Sequence, residues 1–186
     1  GTLPEAEADF DTLIRQTPDS FQPYLRKGEL LYIRQDWEGA LNYTIEGIKR
    51  APAANRMDLY GNGAGAFYRD RKYKQAIQLY RAALAEKFEP ELASYLAFVL
   101  STAKDDSVRN GREALELATK ALESNPNSPT LLNAYAVALA ENGKFPEAAN
   151  AASRALANAK IAGDAAAQQV SERRLAAFNA GQPWRD

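Results

Sequence analysis

The stretch Trp37-Glu38-Gly39-Ala40-Leu41-Asn42-Tyr43-Thr44-Ile45-Glu46-Gly47-Ile48-Lys49-Arg50-Ala51-Pro52 decides the fold. It opens on an aromatic, places a small residue three positions on at Ala40 and another seven beyond that at Gly47, and stops at Pro52. Residues seven apart share a helical face, and small ones there let a neighbouring helix come close. Trp37 fills the gap at the turn, and proline ends the helix because it lacks the amide hydrogen that the ladder needs. Upstream, Tyr24, Gly28 and Leu31 are large, small and large at spacings of four and three, which is one face of another helix. The two segments read as an antiparallel helix pair.

The pair recurs along the chain. The small residue reappears as Ala6, Ala40, Ala76, Ala114 and Ala148, in steps of 34, 36, 38 and 34 residues. Seven residues after each comes Leu13, Gly47, Ala83, Ala121 or Ala155, and three before it stand Trp37, Tyr73 and Phe145 in three of the units. Pro18, Pro52 and Pro126 close units at one offset. Tyr60, Ala64 and Phe67, then Leu132, Ala136 and Leu139, repeat the large-small-large face. Period-two alternation is scarce, so no strand competes, and Ser20, Ser128 and Asp164 stand where helix N-caps are wanted.

This pattern resembles the tetratricopeptide repeat, with its 34-residue signature of a large residue, Leu, Gly and Tyr, then Ala, an aromatic, Ala and Pro. The resemblance implies an all-α, right-handed superhelical solenoid of antiparallel helix pairs in a single domain over 1–186, with about four and a half repeats. The expected divisions are a half repeat at 3–18, repeats at about 21–54, 57–90, 90–126 and 129–162, a capping helix at 164–180 and a tail at 181–186. The third repeat departs from the pattern through a longer loop, Lys104 to Gly111, which closure entropy tolerates cheaply. In the last helix Ala167, Val170, Arg174, Leu175 and Phe178 form the stripe expected to cap the stack, with Gln168, Gln169, Glu172 and Arg173 outward. Trp184 either folds back on that cap or anchors a partner.

Composition narrows the functions. With 46% apolar and 25% charged residues the chain reads as an ordered globular protein. Lysine and arginine (23) balance aspartate and glutamate (24), which predicts no nucleic-acid partner, and no apolar run approaches the length of a membrane span. Cysteine and histidine are both absent, which removes disulfides, thiolate metal sites, Ser-His catalysis and imidazole-bound zinc. No catalytic residue, metal or cofactor is assigned. The amino terminus lacks a secretion signal and begins in mid-repeat, so a larger parent chain with a leader or anchor cut away is expected. The cysteine-free, alanine-rich composition leans to a bacterial, extracytoplasmic origin, periplasmic or envelope-associated, with the cytoplasm as the alternative.

The resemblance also implies a concave groove lined by the first helix of each pair, where partners bind. Its expected residues are Arg26, Glu29 and Tyr32 in the first full repeat, and Asn62, Gly65, Tyr68 and Arg69 in the second. Tyr95 and Phe98 follow in the third, and Asn133 and Val137 in the fourth. Aromatics bury large area with few rotors, so Tyr32, Tyr68, Tyr95 and Phe98 are the expected anchors, unless a one-position rotation turns them into the core. Some members of the family grip a peptide's terminal carboxylate with lysine, arginine and asparagine; here only Asn62 matches, with Leu25, Glu29, Glu91 and Tyr95 at the other positions. That mode is not expected.

Gly61-Asn62-Gly63-Ala64-Gly65 places three glycines in a helix, each costing about 1 kcal/mol against alanine. Close packing accounts for Gly63; at Gly65 and Gly61 either packing or close approach of a ligand backbone does. Asp105-Asp106 lacks the spacing of a calcium loop, and the glycosylation-like Asn42-Tyr43-Thr44 falls inside a helix. The resulting expectation is a non-catalytic scaffold or adaptor holding a protein or peptide in its groove. The alternative is a domain of a larger bacterial enzyme or envelope complex that positions substrates or mediates assembly. A second copy docking on a solenoid end is a further partner class.

Overall fold

The computed structural model describes residues 3–185. Among them are ten α-helices and no strand, an all-α helical repeat fold of the solenoid class. The chain divides into two compact units, one ending at Ala83 and one beginning at Leu84. The first holds α1 (Leu3–Gln16), α2 (Gln22–Ile33), α3 (Trp37–Arg50), α4 (Ala53–Arg69) and most of α5 (Tyr73–Glu86). The second holds α6 (Pro90–Thr102), α7 (Gly111–Ser124), α8 (Pro129–Glu141), α9 (Phe145–Ile161) and α10 (Ala165–Asn179).

In the first unit the small residues are demanded by helix contact. A Cβ on Gly47 would stand 2.7 Å from Leu25 Cδ2 and 3.1 Å from the Leu25 backbone nitrogen. One on Gly28 would stand 2.9 Å from Thr44 Oγ1 and 3.2 Å from the Ala40 carbonyl oxygen. Thus α2 and α3 approach at a distance only glycine permits. Where alanine takes the same role, at Ala76, Ala83, Ala114, Ala121, Ala148 and Ala155, it is fully buried. Lys27, on α2, joins α1 to this pair: its ammonium donates to Asp11, lies 4.0 Å from Glu7 and sits 4.4 Å above the Tyr43 ring. Burial alone would pull its pKa down, but the hydrogen bonds with Asp11 and Tyr43 outweigh it and hold the group above the ordinary value.

One turn recurs at helix ends. Gln35, Arg71, Gly143, Gly163 and Gly181 are left-handed, with φ of 63°, 58°, 74°, 70° and 66°. In each case the next residue donates its N–H five residues back, as Asp36 does to Leu31 O (2.9 Å), Lys72 to Phe67 O (2.8 Å) and Lys144 to Leu139 O (3.0 Å). This C-terminal motif satisfies orphan carbonyls and turns the chain sharply, into the next helix in four cases and into the segment after α10 at Gly181. Gln35 and Arg71 carry side chains where glycine is preferred.

Caps set the other ends. Asp164 and Ser128 accept from the N–H of Ala167 and Leu131, as read from the sequence. Ser20 does not cap: α2 starts at Gln22, and the Ser20 hydroxyl instead donates to Gln22 Oε1 at 2.7 Å. Asp36 and Asn110 cap α3 and α7 through the N–H of Gly39 and Glu113.

The core of the second unit is built from Ala136, Val137, Leu139, Ala148, Ala152 and Phe178, with a satellite of Ala93, Ala121 and Leu131. On α10 the inward residues are Ser171, Arg174 and Phe178, while Val170 is 40% exposed. The expected stripe is therefore rotated by one residue at Val170.

Candidate functional site

In the first unit, α2 and α4 lie side by side at their carboxy-terminal ends, joined by Tyr32. Its ring stands edge-on to Trp37 (5.3 Å) and Phe67 (5.4 Å), and its hydroxyl contacts Ala66 O at 3.0 Å and the Asp70 carboxylate. Burial, reinforced by Asp70, pushes the phenol pKa up to about 12. Tyr68 packs against Tyr73, ring centres 5.9 Å apart. Both tyrosines thus spend their rings on contacts within the unit.

Among large side chains, what α2 and α4 leave to solvent is polar except at Ile33. Arg26 and Glu29 pair with each other at 2.7 Å, both side chains well exposed. Asn62 and Arg69 are exposed on α4, and Ile33 is 69% exposed on α2. Gly63, read as a packing residue, and Gly65, which the sequence left open, differ. A Cβ on Gly63 would meet Leu79 at 3.2 Å and Thr44 at 3.3 Å, a packing need. A Cβ on Gly65 would meet only the end of the flexible Arg69 side chain, at 3.9 Å. No neighbouring helix of this unit needs Gly65 to be small.

In the second unit, Tyr95 is 44% exposed on α6 and Phe98 is half-buried. Asn133 and Val137 are buried. Asn133 Nδ2 donates to Ser171 Oγ on α10 at 3.0 Å, and Val137 belongs to the core cluster with Phe178. Both therefore lie beneath the last helix, out of reach of a partner in this arrangement. Phe98 has the Arg174 guanidinium 4.7 Å from its ring centre. Burial lowers the pKa of that guanidinium to about 10, and no carboxylate pairs with it among the described residues.

Sequence reading did not find Glu141 and Arg109 as a site pair. Arg109 Nε donates to Glu141 at 3.1 Å, its Nη1 to Ala103 O at 2.8 Å, and its Nη2 pairs with Asp106 at 2.6 Å. The long loop of the third repeat thus delivers a guanidinium under the end of α8. The only available signal was an arginine inside an insertion. Among the described residues no cluster of carboxylates has the makings of a metal site, and no helix is long and apolar enough to cross a membrane.

Family models described as tetratricopeptide repeat match residues 1–56 and 117–149. Among solved structures, MamA superposes with a TM-score of 0.58 at 15% identity, over 87% of this chain and 91% of that one. The carboxy-terminal part of a TPR repeat-containing protein from Cytophaga hutchinsonii gives 0.53 at 14%, over 96% and 74%. The TPR2AB domain of yeast Sti1, in its complex with pHSP90, gives 0.53 at 13%, over 95% and 79%. At these identities the likeness is one of fold.

Proposed function

The chain belongs to the tetratricopeptide repeat family, and on that premise we propose that it is a non-catalytic interaction module whose α2–α4 face receives an extended peptide from a protein partner. The observation that carries this reading is Gly65. It sits inside a helix where glycine costs about 1 kcal/mol, without the packing need that explains Gly28, Gly47 and Gly63. Asn62 lies one turn before it and Arg69 one turn after, and with Arg26 and Glu29 on α2 they are exposed groups able to bond a peptide backbone and its polar side chains. Tyr32 ties α2 to α4 beneath these groups, and Tyr68 packs α4 against Tyr73 of α5. The pHSP90 complex of yeast Sti1 shows that a protein of this fold can take a partner.

Peptides selected on the native chain from a random displayed library provide the test. Gly65→Leu and Asn62→Ala should each weaken the selected peptides about tenfold, with the melting temperature of Asn62→Ala unchanged. Equal binding by both variants would remove this face from consideration.

A further inference from the structure

The segment after α10 turns back onto the second unit. Gly181 is left-handed and the Gln182 N–H closes on Ala177 O at 3.0 Å. Trp184 then packs on the cluster containing Val137, Ala140 and Phe178, beside Phe98, with its ring 5.7 Å from the Arg174 guanidinium. Arg185 Nη1 donates to Ser101 O at 3.1 Å and forms an ion pair with Glu141 Oε2 at 2.7 Å. Residues from α6, α8 and α10 thus converge on two consecutive side chains.

The receiving surface is built rather than incidental. Arg174 is 9% exposed and its Nε has no hydrogen-bond partner among the described residues, yet its guanidinium faces the rings of Phe98 and Trp184. A guanidinium held there favours a further aromatic face through its attraction to the ring's electron density. Beside it, Glu141 is braced by Arg109, which also faces Asp106. Glu141 Oε2 is the carboxylate atom that an incoming cation meets, at 2.7 Å, and Ser101 O fixes where that cation sits. The loop that lengthens the third repeat supplies this brace.

We propose that this face of α6, α8 and α10 is a second peptide site, specific for an aromatic side chain followed directly by arginine, and that Trp184-Arg185 occupies it as an intramolecular competitor. The proposal rests on the reading of the chain as an interaction module but uses different helices from the α2–α4 face. Among the described residues, 182–185 are held by the Trp184 ring, the hydrogen bonds of Gln182 and Arg185, and an ion pair in which the Arg185 side chain remains 33% exposed, a set small enough to exchange. A covalently attached ligand of this length acts at an effective concentration on the order of millimolar, so a partner bearing the same pair competes once it exceeds that level.

The test uses the full chain and a fluorescein-labelled peptide, Gln-Pro-Trp-Arg with an amidated end, read by anisotropy. The Trp184→Ala/Arg185→Ala double variant should bind this peptide about tenfold or more tighter than the native chain does. A peptide with alanine for arginine should lose that gain, as should Glu141→Gln added to the double variant. Arg185→Glu, which keeps the indole but places a carboxylate against Glu141, guards against misfolding of the double variant and should show the same direction. Equal binding by native and variant chains of intact helicity, or binding indifferent to the peptide's arginine, would overturn the proposal. Because Gly65 is untouched, either result leaves the α2–α4 reading to its own test.

Discussion

Asn133 on α8 and Ser171 on α10 are bonded to each other inside the second unit, Nδ2 to Oγ at 3.0 Å, and both side chains are buried. The Ser171 hydroxyl also reaches Ala167 O at 2.8 Å, so the pair ties the last helix down at a point where neither group can turn to water. Removing Ser171 strands the Asn133 amide, whereas removing Asn133 leaves the Ser171 hydroxyl on Ala167 O. Ser171→Ala should therefore destabilise the chain by about 1–3 kcal/mol, and a double-mutant cycle with Asn133→Ala should return a coupling of about 1 kcal/mol. Urea unfolding followed by circular dichroism measures both.

The glycines separate by contact. Gly47→Ala drives a methyl into Leu25 and Gly28→Ala drives one into Thr44 and the Ala40 backbone, so each should cost about 1–3 kcal/mol. Gly65→Ala meets no such wall and should stabilise by up to about 1 kcal/mol. Opposite signs in the unfolding midpoint are the expected result, and a loss of stability in Gly65→Ala would point to a packing role for Gly65 after all.

Arg71 and Gln35 sit in the left-handed region, where a side chain crowds the following carbonyl. Arg71→Gly relieves that strain while adding freedom to the unfolded chain, and the balance should favour the variant by about 0.5–1 kcal/mol. Gln35→Gly should behave alike. Differential scanning calorimetry of the two single variants and the pair checks the size and the additivity.

Tyr32 holds its proton up to about pH 12 in the folded chain because of burial and Asp70, against an ordinary value near 10. In the interval between those values the unfolded state has released a proton that the folded state keeps, so the group's contribution to stability is complete below the unfolded value and is lost as pH rises through the folded one. The chain has nine tyrosines, so the comparison must be made against Tyr32→Phe. The urea midpoint of the native chain should fall more steeply than that of the variant between about pH 10 and pH 12. Parallel curves would mean that neither burial nor the Asp70 contact perturbs the phenol.

Much of the fold was legible because its signals are local. Trp37, Ala40, Gly47 and Pro52 encode a helix, its close-packed face and its end within a span of sixteen residues, and the same arrangement returns four more times in part or whole. Ser128 and Asp164 were readable as caps for the same reason, while Ser20 was not, since α2 starts at Gln22 with Phe21 in the cap position. The groove was harder. A helix turns about 100° per residue, so a face assigned one position out exchanges solvent for core, and an aromatic side chain does not declare which of the two it faces. Tyr32 and Tyr68 are placed inward by Phe67, Trp37 and Tyr73, contacts no periodicity reveals.

The sequence by itself determined the helix pairs, their order and their family, because these depend on spacings shorter than forty residues and on which residues are small enough to let two helices touch. Only the tertiary structure decided which faces remain free. Asn133 and Val137 are covered because α10 lies on them, Gly65 is open because no helix of its unit does, and Arg185 finds Ser101 across 84 residues of chain. Those outcomes depend on where a capping helix and its tail come to rest, which is set by the sum of many burial and charge terms and by no single motif.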